Sequence, residues 1–162
     1  SLISKTKRFN ALVFGGEKAT VMAGRQEVLG HHNIRMIPVK EDMSHLFLVN
    51  EALDNNEIMS MPADRIIGSA KSVTSVFMDA EARFPAGPLS VATMKGLDVL
   101  AVNVMKTSAK HYKVYVARLS YDKHAPRRQQ MQQLADSYVK ELERRVRQYP
   151  LQWFNFYDFW SR

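Results

Sequence analysis

The feature that most constrains this chain is the alternation, in its first half, of short β-rich runs with helix-like stretches. "NALVFG" (Asn10 to Gly15) is apolar, and "EKATVMAGRQEVLG" after it has the composition of a helix that closes at Gly30. "NIRMIPV" is the next strand candidate. Asp42 or Ser44 then caps a helix through Leu53, with Met43, Leu46, Phe47 and Leu53 on one face. "EIMSMP" follows the turn residues Asp54, Asn55 and Asn56, and Pro62 ends that strand. The order βαβαβ predicts an α/β layer with a mostly parallel sheet flanked by helices.

The second half is read differently. "SVTSVFM" is a strand, "DAEARFPA" a loop, and "GPLSVATMKG" a helix with Pro88 in its first turn and Gly96 at its end. "LDVLAVNVM" and "YKVYVARL", separated by the polar "KTSAKH", predict an antiparallel hairpin. A last amphipathic helix is expected from about Ala125 to Tyr149. Met131, Leu134, Ala135, Tyr138, Leu142 and Val146 recur on its apolar face, and the pairs Glu141–Arg145 and Glu143–Arg147 lie on its wetter side. No repeat, low-complexity tract or long linker interrupts the 162 residues, so a single domain, 1–162, is expected.

Composition removes several functions. With no cysteine there is neither a disulfide framework nor a thiolate nucleophile. No apolar run approaches the roughly 20 residues of a membrane-spanning helix, and "SLISKTKRFNALVFGG" lacks the long apolar region of a signal peptide. The 23 Lys and Arg exceed the 16 Asp and Glu by +7, which favours an acidic partner: nucleic acid, an anionic lipid surface, a phosphorylated substrate or an acidic carrier protein. In "RRQQMQQLADSYVKELERRVR" the basic residues are separate from the aromatics that follow. A nucleic-acid reader interleaves the two, so nucleic acid is disfavoured as a partner.

Few motifs carry chemistry. His31, His32, His45, His111 and His124 have no metal-ligand spacing, so no metal and no cofactor is expected. Gly15 and Gly16 lack both the dinucleotide and the P-loop patterns, and no Gly-x-Ser-x-Gly elbow is present. The informative stretch is "NEIMSMPADRIIGSAKS". Asp64 and Arg65 fall just beyond the carboxyl end of a strand, where open α/β sheets build their sites. Arg65 either grips a phosphate or carboxylate while Asp64 orients it, or the two form a local pair that holds the loop. In "EARFPAGP", Pro85 and Pro88 restrict the backbone and Gly87 permits a tight approach before the helix, which also suits a plain rigid loop. Arg25 either complements a helix dipole or binds phosphate. Seven of the sixteen aromatic residues lie between Tyr149 and Trp160. Their rings either pack on the core or enter a membrane interface.

Three stretches, "MPADRIIGS", "AEARFPAGPLSVATMKGLDVLAV" and "YPLQWFNFYDFW", resemble in order and spacing the C-terminal part of the lipid A biosynthesis acyltransferases. These lauroyl and myristoyl transferases belong to the lysophospholipid acyltransferase superfamily. The similarity runs from about Asn10 to the end of the chain. It implies a partial acyltransferase fold and the transfer of a fatty acyl chain from an acyl carrier protein thioester to a hydroxyl of a lipid A precursor or other anionic lipid. The expected place is the cytoplasmic face of the inner membrane, with peripheral contact. By position, the resemblance assigns Asp64 and Arg65 to the substrate-binding block, Arg25 to a preceding basic block, and Phe84, Pro85, Gly87 and Pro88 to the pocket wall.

In that family a histidine with an acid five positions later acts as base, on a helix ahead of the strand that Asn10 begins here. This chain departs from the pattern: five positions after its histidines stand Met36, Ile37, Asn50, Val116 and Gln129, and Glu51 is six after His45. No catalytic residue is therefore assigned. The chain is expected to be the portion that follows the catalytic helix and to be inactive alone, whether truncated or a degenerate relative. The alternative is a non-enzymatic module that binds anionic lipid or nucleic acid.

Overall fold

A computed structural model describes residues 7–13, 33–39, 44–64, 66, 71–155 and 160. The chain divides into two compact units, Ser1–Pro62 and Ala63–Arg162.

In the first unit β1 (Phe9–Val13) is the centre of a parallel sheet, between β2 (Ile34–Pro38) and β3 (Ile58–Ser60). The registers are Phe9↔Ile34 and Phe9↔Ile58. The helix α1 (His45–Asp54) connects β2 to β3 and packs on both. The helix expected over "EKATVMAGRQEVLG" and the possible cap Asp42 lie outside the described residues. The buried side of α1 is His45, Val49 and Ala52, spaced i, i+4, i+7, so the expected apolar face is turned: Phe47 is 79% exposed. Two residues after His45 is about 200° round the helix, which carries Phe47 to the solvent side. Ser44 precedes α1 without a side-chain capping bond. The helix ends in a Schellman turn on Asn56, whose φ is +56°, with Asn56 N–H donating to Leu53 O and Glu57 N–H to Ala52 O. The fully buried Asn10 ties the sheet together, its amide nitrogen donating to Glu57 Oε2 at 2.8 Å and to Ile58 O at 3.2 Å.

The second unit begins with an antiparallel hairpin, β4 (Ser72–Phe77) and β5 (Ala80–Pro85), in register Ser72↔Pro85. The sequence reading made a loop of the segment that is β5. The two-residue turn Met78–Asp79 has φ of +54° and +68°, a type I′ geometry that ordinarily calls for Asn or Gly. Tertiary bonds support it instead: Glu143 Oε2 accepts from Met78 N–H at 2.9 Å, and Arg147 donates to Asp79 at 3.4 Å.

The helix α2 (Ala86–Met94) follows β5 directly. It ends as the sequence implies, on Gly96 at φ +60° in a second Schellman turn, with Leu97 N–H bonded to Ala92 O at 2.9 Å. A second hairpin, β6 (Val99–Lys106) and β7 (Tyr112–Leu119), pairs Val99↔Leu119 through Lys106↔Tyr112. The long helix α3 (Arg127–Gln148) begins after Pro126, and a 3₁₀ turn, Pro150–Gln152, comes after it. The α/β class, parallel strands, C-terminal antiparallel hairpin and long amphipathic helix all agree with the sequence reading. No described helix is long and apolar enough to cross a membrane.

One stripe of α3 serves two cores. Val139, Leu142 and Val146 pack with Phe77, Ala82 and Phe84 of the first hairpin. Leu134 and Ala135 pack with Leu89 and Ala92 of α2 and with Ala101 and Leu119 of the second hairpin. Tyr138 touches both clusters. The C-terminal aromatics join the first: Phe77 meets Trp153 edge-on at 5.2 Å and stacks on Trp160 at 5.9 Å, while Trp160 Nε1 donates to Phe77 O. Phe154 and Leu151 remain exposed.

Phe77→Ala is therefore expected to cost ~3–5 kcal/mol, read by urea unfolding. It should also red-shift the fluorescence of the chain's two tryptophans, both of which lie against that ring. The Glu143 carboxyl is held below its ordinary 4.5 by the Met78 N–H and then by Arg147. A depressed carboxylate stabilises above its unfolded value and loses that contribution as pH falls through its folded value. Melting temperature should thus decline on acidification below about 4.5, and Glu143→Gln should make that decline shallower.

Candidate functional site

Arg25 and Arg65 lie outside the described residues. The remaining residues singled out by the sequence belong to the second unit. Phe84, at the end of β5, is 1% exposed and sits in the first core, edge-on to Phe77 and Tyr138 at 6.1 Å each. Its ring is structural in this arrangement, because no face of it remains open. Asp64 is half-buried, and its field reaches Tyr138. Burial first, and the Asp64 charge second, push the Tyr138 hydroxyl well above the usual phenol range. Tyr138 thus packs on Phe84 and feels the charge of Asp64, an association invisible in the sequence.

Pro85 is the residue before α2, at φ −64° and ψ 127°. Gly87 and Pro88 are inside the helix, so Gly87 follows the helix start and does not precede it. Outside its own helix and chain neighbours, no described atom lies within 4 Å of where a Cβ on Gly87 would stand, so no tight approach occurs there among the described residues. The helix start is also a poor backbone cradle for an anion. Pro85 and Pro88 have no N–H, and the Ala86 N–H is bonded to Lys71 O at 3.2 Å. What the segment can offer a ligand is a rigid apolar contour.

A different constellation was hidden by reading α3 as wet on the side of its ion pairs. Glu141 and Arg145 are buried, the Arg145 Nε–Glu141 Oε1 bond being 3.0 Å. Arg145 also donates to Gln148 Oε1 at 2.7 Å, and its guanidinium lies 4.0 Å from the centroid of the Tyr115 ring. Tyr115 and Tyr149 share a 2.6 Å hydroxyl contact. The Tyr149 hydroxyl, hydrogen-bonded to it, lowers the Tyr115 hydroxyl below its ordinary value, while Tyr149 is raised. The i,i+4 spacing signalled the pair, but only β7 laid across α3 makes it a buried one. Its Glu141 end opens into a shallow groove of about 240 Å³ with Ala117, Arg118, Leu119, Ser137, Lys140 and Arg144. Arg118 and Lys123 share Asp98, at 3.0 and 3.2 Å. Arg144 is paired with Glu141 at 2.7 Å, which leaves Lys140 as the lining cation best placed to meet an anionic group or an acidic partner. A second groove, of about 640 Å³, is formed by Val104, Lys106, Thr107, Ser108, Tyr112, Gln152 and Phe154. Asp64, Phe84, Pro85, Gly87 and Pro88 line neither.

Among the described histidines, His45 is buried at the start of α1, and His124 is exposed. His111 Nδ1 lies 2.8 Å from Ser108 Oγ in the exposed β6–β7 turn. That pair lacks an orienting carboxylate and staples the turn. Among the described residues no group of three or more His, Asp or Glu side chains is placed to hold a metal ion.

Residues 19–162 match the family model described as bacterial lipid A biosynthesis acyltransferase. No curated protein matches the chain.

The buried pair yields a stability test. Glu141→Leu leaves the Arg145 charge buried without its carboxylate and is expected to cost about 3 kcal/mol by urea unfolding. Removing both charges, Glu141→Leu with Arg145→Met, should recover most of that loss.

Proposed function

Because this chain belongs to the bacterial lipid A biosynthesis acyltransferase family, we propose that it is the acceptor-binding portion of an enzyme that acylates a lipid A precursor with a fatty acyl chain carried by acyl carrier protein. The observation that carries this reading is the family match over residues 19–162 in a sequence whose histidines all lack an acid five positions later. In such a transfer the acceptor hydroxyl oxygen attacks the thioester carbonyl, the C–S bond breaks, and the carrier leaves as a thiol while a base takes the hydroxyl proton. With no paired histidine to take that proton, these 162 residues bind and do not transfer.

In this proposal Arg65 and Arg25 engage the acceptor phosphates, with Arg65 in a bidentate grip oriented by Asp64. Phe84 contributes from the core of the second unit, and Pro85, Gly87 and Pro88 supply a stiff contour beside the acyl or sugar moiety. The exposed cations Arg127, Arg128, Lys140 and Arg144 of α3 suit an acidic carrier protein. The +7 charge supports peripheral attachment to an anionic membrane, which this reading places at the cytoplasmic face of the inner membrane.

The test uses labelled acyl carrier protein and detergent-dispersed lipid A precursor. The 162-residue chain should bind precursor without acyl transfer. Transfer by the 162 residues alone would overturn the proposal. Arg65→Ala should weaken precursor binding by about tenfold or more, and Arg65→Lys should restore it only in part. Gly87→Ala adds a Cβ that meets no described atom within 4 Å; unchanged precursor binding in that variant would remove the Pro85–Pro88 segment from the site.

A further inference from the structure

The β6–β7 hairpin has two unlike faces. Ala101 and Leu119 point into the second core, and Tyr115, on the same side, lies on Arg145. The opposite side carries Leu100, Val102 and Val104 on β6 with Tyr112, Val114 and Val116 on β7, brought together by the register Val102↔Val116 and Val104↔Val114. All six are 38–64% exposed, so the apolar stripe is contiguous and uncovered, and Phe154 extends it at the turn end. Stripes of this kind mark interaction surfaces. The outer edge of β6 is a poorer docking place, because the Gln152 side chain already bonds both the N–H and the C=O of Lys106, each at 2.8 Å.

Charge selects the occupant. From Val99 to Tyr121 there is no Asp or Glu. Lys106 and Lys110 frame the stripe, Arg118 stands on the same side paired with Asp98 at 3.0 Å, and Lys113 lies on the opposite side over the Tyr115 ring. A second copy seated symmetrically on this face would set that cationic rim against itself. An apolar centre within a basic rim, with Tyr112 and Phe154 at its margin, is the composition of a surface that lies in the headgroup region of an anionic bilayer. We propose that the outward face of the β6–β7 hairpin is the membrane-docking surface of this chain, laid flat on anionic lipid with Leu100, Val102, Val104, Val114 and Val116 toward the acyl boundary. It rests on the proposed function only in sharing a membrane-borne acceptor, since the surface is read from the hairpin alone.

The cysteine-free sequence permits a site-specific probe. In the 162-residue chain, Val104→Cys and, as a control on exposed α3 surface, Gln129→Cys each carry a polarity-sensitive dye. Vesicles of phosphatidylcholine with roughly a third phosphatidylglycerol should blue-shift the dye at position 104 and leave the one at 129 unchanged. Lys106→Gln/Lys110→Gln should reduce vesicle partitioning by about thirtyfold at low salt, with unaltered melting because these side chains are exposed. Absence of binding to these vesicles, or binding without a shift at position 104, would overturn the proposal. So would a chain that sediments as a dimer with the dye at 104 already blue-shifted before lipid is added, which would make a second copy the occupant. The vesicles contain neither precursor nor carrier protein, so failure here is distinct from failure of acceptor binding or acyl transfer in detergent.

Discussion

Two-stranded hairpins are marginal by themselves, and the second unit contains two of them with no strand joining them among the described residues. What makes them one body is the burial of a single stripe of α3, whose residues Leu134 to Val146 reach both hairpins and α2. Tyr138 sits where the two clusters meet, which is why burial dominates the behaviour of its hydroxyl. The other features of the unit hang on that helix. Glu143 and Arg147 support a type I′ turn that lacks glycine, Glu141 and Arg145 bury a charge pair beneath β7, and Ser137 and Lys140 line the cationic groove.

The same packing separates two surface chemistries. Docking the inner face of β6–β7 on α2 and α3 leaves the outer face apolar and exposed, with a rim of lysines. Along the edge of β7, Arg118, Lys140 and Arg144 form a polar, cationic groove. The transfer proposed above, from an acidic protein donor to a lipid acceptor, would draw on both kinds of surface, one partner recognised through apolar burial and the other through charge.

The legible parts of the fold are those governed by local rules. The strands at "NIRMIPV" and "LDVLAVNVM" follow from β-branched and apolar runs. The end of α2 follows from Gly96, which adopts the φ of +60° that a Schellman turn requires. The length of α3 follows from its 3.6-residue period. The segment "DAEARFPA" was opaque for a physical reason: a type I′ turn announces itself by Asn-Gly or Asp-Gly, whereas here Met78–Asp79 is held by side chains 65 and 68 residues away. Within the candidate site, the sequence could name Phe84 but could not bring it against Tyr138.

By itself the sequence determined the α/β class, the family, the exclusion of cysteine chemistry and the lack of a histidine paired with an acid at family spacing. Periodicity also divided the residues of each strand and helix into faces. Which face would be covered was decided by the tertiary structure alone. Glu141 and Arg145 read as a wet pair until β7 crossed them, the C-terminal tryptophans read as either core or interface until Phe77 gathered them, and alternation along β6–β7 was equally compatible with either face outward. Local periodicity specifies orientation about an element's own axis, whereas burial depends on partners distant in the chain, and those are chosen only when the whole unit packs.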